Sequence, residues 1–304
     1  MLLKKNEKSN LLECEVKSMQ QKELLELKIN AWKVRKSILT GTYNAKCGHP
    51  GGSLSCTDLL TYLYFKVMNI DPANPQMEDR DRFVLSKGHC APGLYGILAR
   101  RGFFPEDEIP TLRKTGSRLQ GHPCRNVAPG VDMSTGSLGQ GVSAAVGMAL
   151  GAKLQGKNWR TYALLGDGEI SEGQVWEAAM FAAAKGLTNM TIIVDNNNLQ
   201  IDGTVEEVNS PYPIDEKFAA FGWNVINVAD GNDMEQLEAA FAQVMENTDR
   251  PNAIVMKTLK GKGVSFMENQ CAWHGKAPNQ SEYEQAIGEL DAELARLEAE
   301  YAAL

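Results

Sequence analysis

Residues 162–173, YALLGDGEISEG, and 191–203, TIIVDNNNLQIDG, joined by an Ala-rich run, read as one strand–helix–strand unit. Tyr162–Leu165 and Thr191–Val194 are short apolar runs bounded by turn residues, the pattern of parallel strands buried on both faces. Gly173–Lys185 between them reads as the crossover helix. Both strands then end in oxygen-bearing side chains: Asp167 between two glycines, and Asn197 thirty residues further on. In an open α/β sheet that carboxyl edge is where ligands bind.

The pair suits a divalent cation carrying phosphates. Mg²⁺ takes about six hard oxygens at about 2.0–2.1 Å and draws several of them from phosphate and water. One carboxylate and one amide meet that need without over-neutralising the metal. Gly166 and Gly168 lack a Cβ, so backbone can approach a phosphate oxygen closely. For the bare GDG triplet, an ordinary strand–turn–helix with a surface aspartate is the competing reading.

Working outward, the alternation of strand and helix continues. Towards the amino terminus, Leu24, Leu27, Trp32, Val34, Ile38 and Leu39 recur at helical spacing, predicting an amphipathic helix over 21–46. It runs into 48–53, GHPGGS, a turn too rich in Gly and Pro to continue as helix. Thr57–Met68 is a second helix, Arg82–Leu85 a strand delivering SKGH at 86–89, and Pro92–Arg101 a helix. Residues 102–136 form a long irregular segment holding GHP at 121–123, and loops of that length are usually functional. A helix of small residues follows, opening with GSLGQG at 136–141. No GxGxxG or P-loop pattern occurs.

Beyond the central unit come strands at Trp223–Val228 and Ala253–Thr258, separated by a helix at Asp233–Asn247 with Asn232 or Asp233 as N-cap. A loop then carries WHG at 273–275. From Ser281, Tyr283, Ile287, Leu290, Leu294, Leu297 and Tyr301 form the apolar stripe of a final helix. The expected fold is α/β, a mostly parallel central sheet with helices on both faces. Residues 1–20 are read as an N-terminal extension, 21–280 as the domain, and 281–304 as a helix packed on it.

Composition narrows the function classes. The 304 residues carry a formal charge of −7, which argues against a nucleic-acid surface. Residues 1–15 contain lysines but no apolar core, so they are not read as a secretory signal, and no apolar run is long enough to span a membrane. The six cysteines show no CxxC pair and no zinc spacing. Dispersed cysteines suit reduced thiols in the cytoplasm, packed as small apolar filler rather than as a nucleophile. The chain has only four histidines, His49, His89, His122 and His274, and all sit in Gly-containing loops.

The string from Gly166 to Gly203, with GHPGG, SKGH, GHP and WHG, resembles the thiamine-diphosphate signature and histidine motifs of the transketolase family. The resemblance implies the diphosphate-binding (PP-type) domain of that fold. Asp167, the Asn197 side chain and the Leu199 carbonyl would hold Mg²⁺, with Ca²⁺ or Mn²⁺ as substitutes. His89, Gly136, Leu138, Gly166, Gly168 and His274 would contact the cofactor. Glu172, also counted with the cofactor-binding residues, matches with Glu177 the family's acidic positions between paired active sites. His49, His122 and His274 would serve the reacting sugar, since imidazole titrates near neutrality.

The resemblance covers about 21–280, only the first domain of the family's one-chain architecture. It implies half of an enzyme that transfers a two-carbon ketol unit from a ketose phosphate to an aldose phosphate. The expected partner is a C-terminal subunit with the pyrimidine-binding domain, two copies of each chain assembling. A related thiamine-dependent enzyme, 1-deoxyxylulose-5-phosphate synthase-like or keto-acid dehydrogenase-like, shares the GDG…N signature. A metal-dependent phosphohydrolase using Asp167 is the reading from another class, and it wants a cluster of carboxylate and histidine ligands.

Overall fold

Five strands form where the apolar runs predict them: β1 (Arg82–Leu85), β2 (Thr161–Gly166), β3 (Met190–Asn196), β4 (Asn224–Val228) and β5 (Asn252–Lys257). The computed structural model describes residues 3–304, with side chains from Gln21 onward, so the extension read at 1–20 lies outside the residues described in full. The strands pair in the order β1-β2-β3-β5-β4, and every pairing is parallel.

Alternation along the strands divides them between two cores. Tyr162, Leu164, Ile193, Ile254 and Met256 face one, packed with residues of α1 (Leu3–Ala45), α3 (Thr57–Tyr62), α4 (Ala91–Arg101) and α9 (Met234–Glu246). Ala163, Leu165, Ile192, Val194, Ala253 and Val255 face the other, against α5 (Gln140–Gln155) and α6 (Gly173–Ala184). The Val, Leu, Ile and Met side chains among them each contribute about 1.5–3 kcal/mol on full burial, and slipping a strand by one residue would exchange its two sets between the cores.

The stretch 48–53 departs from the turn expected there. Pro50–Ser55 is a helix, α2, and all six of its residues are buried. Proline at the first helical position has no N–H to leave unpaired. The glycines serve close packing: a Cβ on Gly51 would stand 2.8 Å from the Trp273 carbonyl oxygen, and one on Gly52 2.8 Å from Cys90 Sγ. The turn itself falls at Gly48, whose φ is +130°. The helix expected at Thr57–Met68 ends its α-helical part at Tyr62 and widens into a π turn over Leu63–Val67. Two short helices, α7 (Val205–Asn209) and α8 (Ile214–Ala220), lie where no element was expected. Asp233 caps α9, its side chain accepting from Glu235 N–H.

The final helix, α10 (Gln280–Ala302), starts at a capping box formed by Asn279 and Glu282. Its Leu294 and Leu297 pack on Leu25 and Ile29 of α1, and Tyr283 stacks on Tyr43 with ring centroids 4.2 Å apart. Deeper in α1, Arg35 makes a two-point pair with Asp58 at 2.5 and 3.1 Å. Its Nε donates to the Lys262 carbonyl, and Asn232 donates to Asp58 at 2.8 Å.

Candidate active site

Because all five strands run one way, β1, β2, β3 and β5 discharge their loops on a single edge. A cavity of ≈ 240 Å³ opens there, lined by His49, Lys87, His89, Gly136, Leu138, Gly166, Asp167, Gly168, Asn197, Leu199, Lys260 and His274 among others. Asp167 and Asn197 thus meet in one cleft. Three of the four histidines form a triangle beside them, with ring centroids 5.2 Å apart for His49–His89, 5.5 Å for His49–His274 and 5.1 Å for His89–His274. His122 stands outside the cavity lining on an exposed loop, its ring packed over Gly136 at 3.2 Å from a would-be Cβ. Gly136 has φ +156°, so a side chain there would meet both strain and that ring. Glu172 is not in the cleft. It is exposed, precedes α6, and its Cβ lies against Gly139.

Asp167 is buried, with Oδ1 accepting from Gly168 N–H at 2.8 Å and Oδ2 from Asn198 N–H at 2.5 Å. Burial, and then the charge of Asp195, push its carboxyl up to about 6 despite those bonds. Asn197 gives its amide Nδ2 to Asp195 at 3.3 Å, and its Oδ1 accepts from Leu199 N–H at 3.2 Å. The Leu199 carbonyl accepts from Lys260 Nζ at 2.9 Å, and the same Nζ lies 3.0 Å from His274 Nδ1. An ammonium only donates, so Nδ1 is the acceptor and His274 carries its proton on Nε2. Burial, and next the Lys260 charge, hold His274 down to about 3; burial, and then His89, hold His49 down to about 4. His122 is also lowered, by burial and then Arg113.

Several residues of the cleft escape a reading of the sequence. Lys87 and Lys260 are buried lysines lining it. Glu169, also buried, ties three loops together through Ser86 Oγ at 2.5 Å, Gly139 N–H at 2.9 Å and Gly166 N–H at 3.1 Å. Burial raises its carboxyl. A lysine two residues past a strand, as in SKGH, is the only signal for Lys87, and most such lysines are solvated.

The donor set fits a phosphate-bearing cation. It offers one carboxylate, one amide oxygen and one main-chain carbonyl, leaving the remaining positions to the anion and water. Among the described residues, no group of three or more His, Cys, Asp and Glu side chains is arranged to hold a metal. Two buried polar atoms lining this cleft, His49 Nδ1 and Gln200 Nε2, have no partner among the described residues. A buried polar atom left unpaired costs about 1–3 kcal/mol.

Residues 32–293 match the family described as transketolase, thiamine diphosphate binding domain. The chain is 43% identical over 280 residues to an apulose-4-phosphate transketolase subunit of Phocaeicola vulgatus, covering 92% of this chain and 98% of that one. It is 42% identical to a 6-deoxy-6-sulfo-D-fructose transketolase subunit of a Clostridium species, covering 88% and 98%. Among solved structures, the Pichia stipitis transketolase in complex with sedoheptulose 7-phosphate superposes with a TM-score of 0.82 at 27% identity. That match covers 92% of this chain but 44% of the other, so the chain spans under half of that transketolase.

Proposed function

This chain belongs to the transketolase family, and from that premise we propose that it is the diphosphate-binding half of a two-chain transketolase. It transfers a two-carbon ketol unit from a ketose phosphate to an aldose phosphate. The observation that carries this reading is the meeting of Asp167, Asn197 and three histidines in one cleft.

Thiamine diphosphate, when bound, supplies the nucleophilic carbon and the electron sink. The protein's part is to bind, orient and move protons. Asp167, the Asn197 Oδ1 and the Leu199 carbonyl would hold Mg²⁺, and His89 and Lys260 would take diphosphate oxygens. Gly136 and Leu138 would touch the cofactor's ring system. His274, its Nδ1 fixed by Lys260, has Nε2–H left to donate to a sugar oxygen on which charge develops. His49, neutral at pH 7, accepts a hydroxyl proton and returns it. His122, on the rim, meets the sugar farther out.

The rest of the machinery comes from a second subunit with the pyrimidine-binding domain, two copies of each chain assembling in the cytoplasm. Glu172 and Glu177, both exposed, then serve the junction between paired sites rather than this cleft. Met180 and Phe181 of α6, 55% and 42% exposed, support an interface beside them.

The test is to recover the chain with its companion and assay the mixture with thiamine diphosphate, Mg²⁺ and a panel of ketose phosphates. Ketol transfer by the pair and none by the chain alone is expected. Full activity without the companion would refute the split, and turnover of pyruvate in place of a ketose phosphate would refute the reaction class.

A further inference from the structure

Asp195 is 0% exposed at the end of β3 and lies behind the cleft wall rather than in it. Side chains from four segments converge on its carboxylate. Ser55, at the end of α2, donates to Oδ2 at 2.5 Å, and Lys87, just past β1, pairs with the same oxygen. Thr258, just past β5, donates to Oδ1. The fourth donor is the Asn197 amide, through Nδ2 to Oδ2 at 3.3 Å. Lys87 Nζ also donates to the Gly52 carbonyl at 3.1 Å, so the ammonium is itself fixed from two sides.

An amide has a donor end and an acceptor end of nearly the same shape, and only its hydrogen bonds decide which way it faces. A carboxylate ringed by donors takes the NH₂ end. The Asn197 oxygen is thereby turned the other way, where it meets Leu199 N–H at 3.2 Å and keeps a lone pair for a further partner. Flipped, the amide would point N–H groups at a cation and repel it. Resting on the metal role read above for Asn197, we propose that Asp195, held by Lys87, is a positioning residue that keeps the Asn197 oxygen towards the cation.

The test titrates the full chain, with its companion subunit, with Mg²⁺ at saturating thiamine diphosphate and with thiamine diphosphate at saturating Mg²⁺, read by calorimetry. Asp195→Asn is expected to raise the half-saturating Mg²⁺ concentration by about 10–100-fold, the usual cost of losing a group that orients a ligand. It should move the half-saturating cofactor concentration much less. Ca²⁺, which accepts irregular and larger coordination shells, should be less affected than Mg²⁺. Thr258→Val, which removes a donor from the oxygen facing away from Asn197, should leave Mg²⁺ binding close to wild type.

Should Asp195→Asn fail to fold, Ser55→Ala takes its place. It strips a donor from the oxygen that Asn197 uses, and a severalfold rise for Mg²⁺ is expected. Equal shifts for Mg²⁺ and cofactor, or none in a variant that folds, overturn the positioning role while leaving the functional reading intact. Absence of Mg²⁺-dependent cofactor binding in the wild-type complex overturns both.

Discussion

Two of the buried ion pairs in this molecule do different work. Arg35–Asp58 joins α1 to α3 and neither residue lines the cleft, whereas Lys87–Asp195 sits directly behind it and Lys87 forms part of its wall. The first uses the planar fork of guanidinium for a two-point contact, with Asn232 and the Lys262 carbonyl completing both partners. The second uses a point charge shared between a carboxylate and the Gly52 carbonyl. A fork fixes one geometry and suits a clamp. A point charge surrounded by hydroxyls and an amide sets the direction of its neighbours. The difference teaches that burial of charge alone does not mark a functional site; what the pair's remaining partners touch does.

The contrast can be broken most forcefully at the clamp. Asp58→Ala leaves Arg35 buried without its partner and should cost about 3–5 kcal/mol, read from urea unfolding. Cofactor affinity of the molecules that remain folded should be unchanged; a selective loss of affinity would make the two pairs alike.

Next comes the cleft acid that, among the described residues, forms no ion pair of its own. Asp167→Asn should weaken Mg²⁺-dependent cofactor binding by more than about 100-fold, since a ligand counts for at least as much as the groups behind it. Burial already disfavours the charged form of this carboxyl, so the melting temperature without ligand should hold or rise. A large fall in that temperature would mean Asp167 belongs with the clamp.

Acid acts on the cleft through its histidines. His49 and His274 titrate at about 4 and about 3, below the ordinary 6.5, so the unfolded chain binds more protons between those values and 6.5. Their contribution is fully present above pH 6.5 and is lost as pH falls through that window. Asp167, raised to about 6, acts in the opposite sense below pH 6. Urea midpoints at pH 7 and pH 5 should therefore fall less in a His49→Gln/His274→Gln variant than in wild type. Smallest is the exposed pair Lys36–Asp291 between α1 and α10, where Asp291→Ala should change stability by about 0.2–1 kcal/mol.

Much of the frame was legible. The strands at 82–85 and around 162–165 and 191–194 follow from apolar runs ended by Ser, Gly and Asp, and the two helices at the chain's ends follow from their leucine stripes. The lining of the cleft was legible where a motif places a residue past a strand, as with Asp167, Asn197 and His89. It was illegible where a residue's role depends on a partner far along the chain: Lys87 and Asp195 are 108 residues apart, Lys260 and Leu199 61. The helix at Pro50–Ser55 was hidden because its glycines, which composition assigns to turns, are there to let Trp273 and Cys90 come close.

The uniform direction of the sheet has a practical side. Each return into a strand, such as residues 156–160 before β2 and 247–251 before β5, is made at the edge away from the cleft. Thr248, Asp249 and Arg250 are in the second of these, and all three are exposed. A fluorophore, a surface tether or a pair of new chain ends introduced there would handle the protein from behind, with the cleft edge left uncovered for a companion.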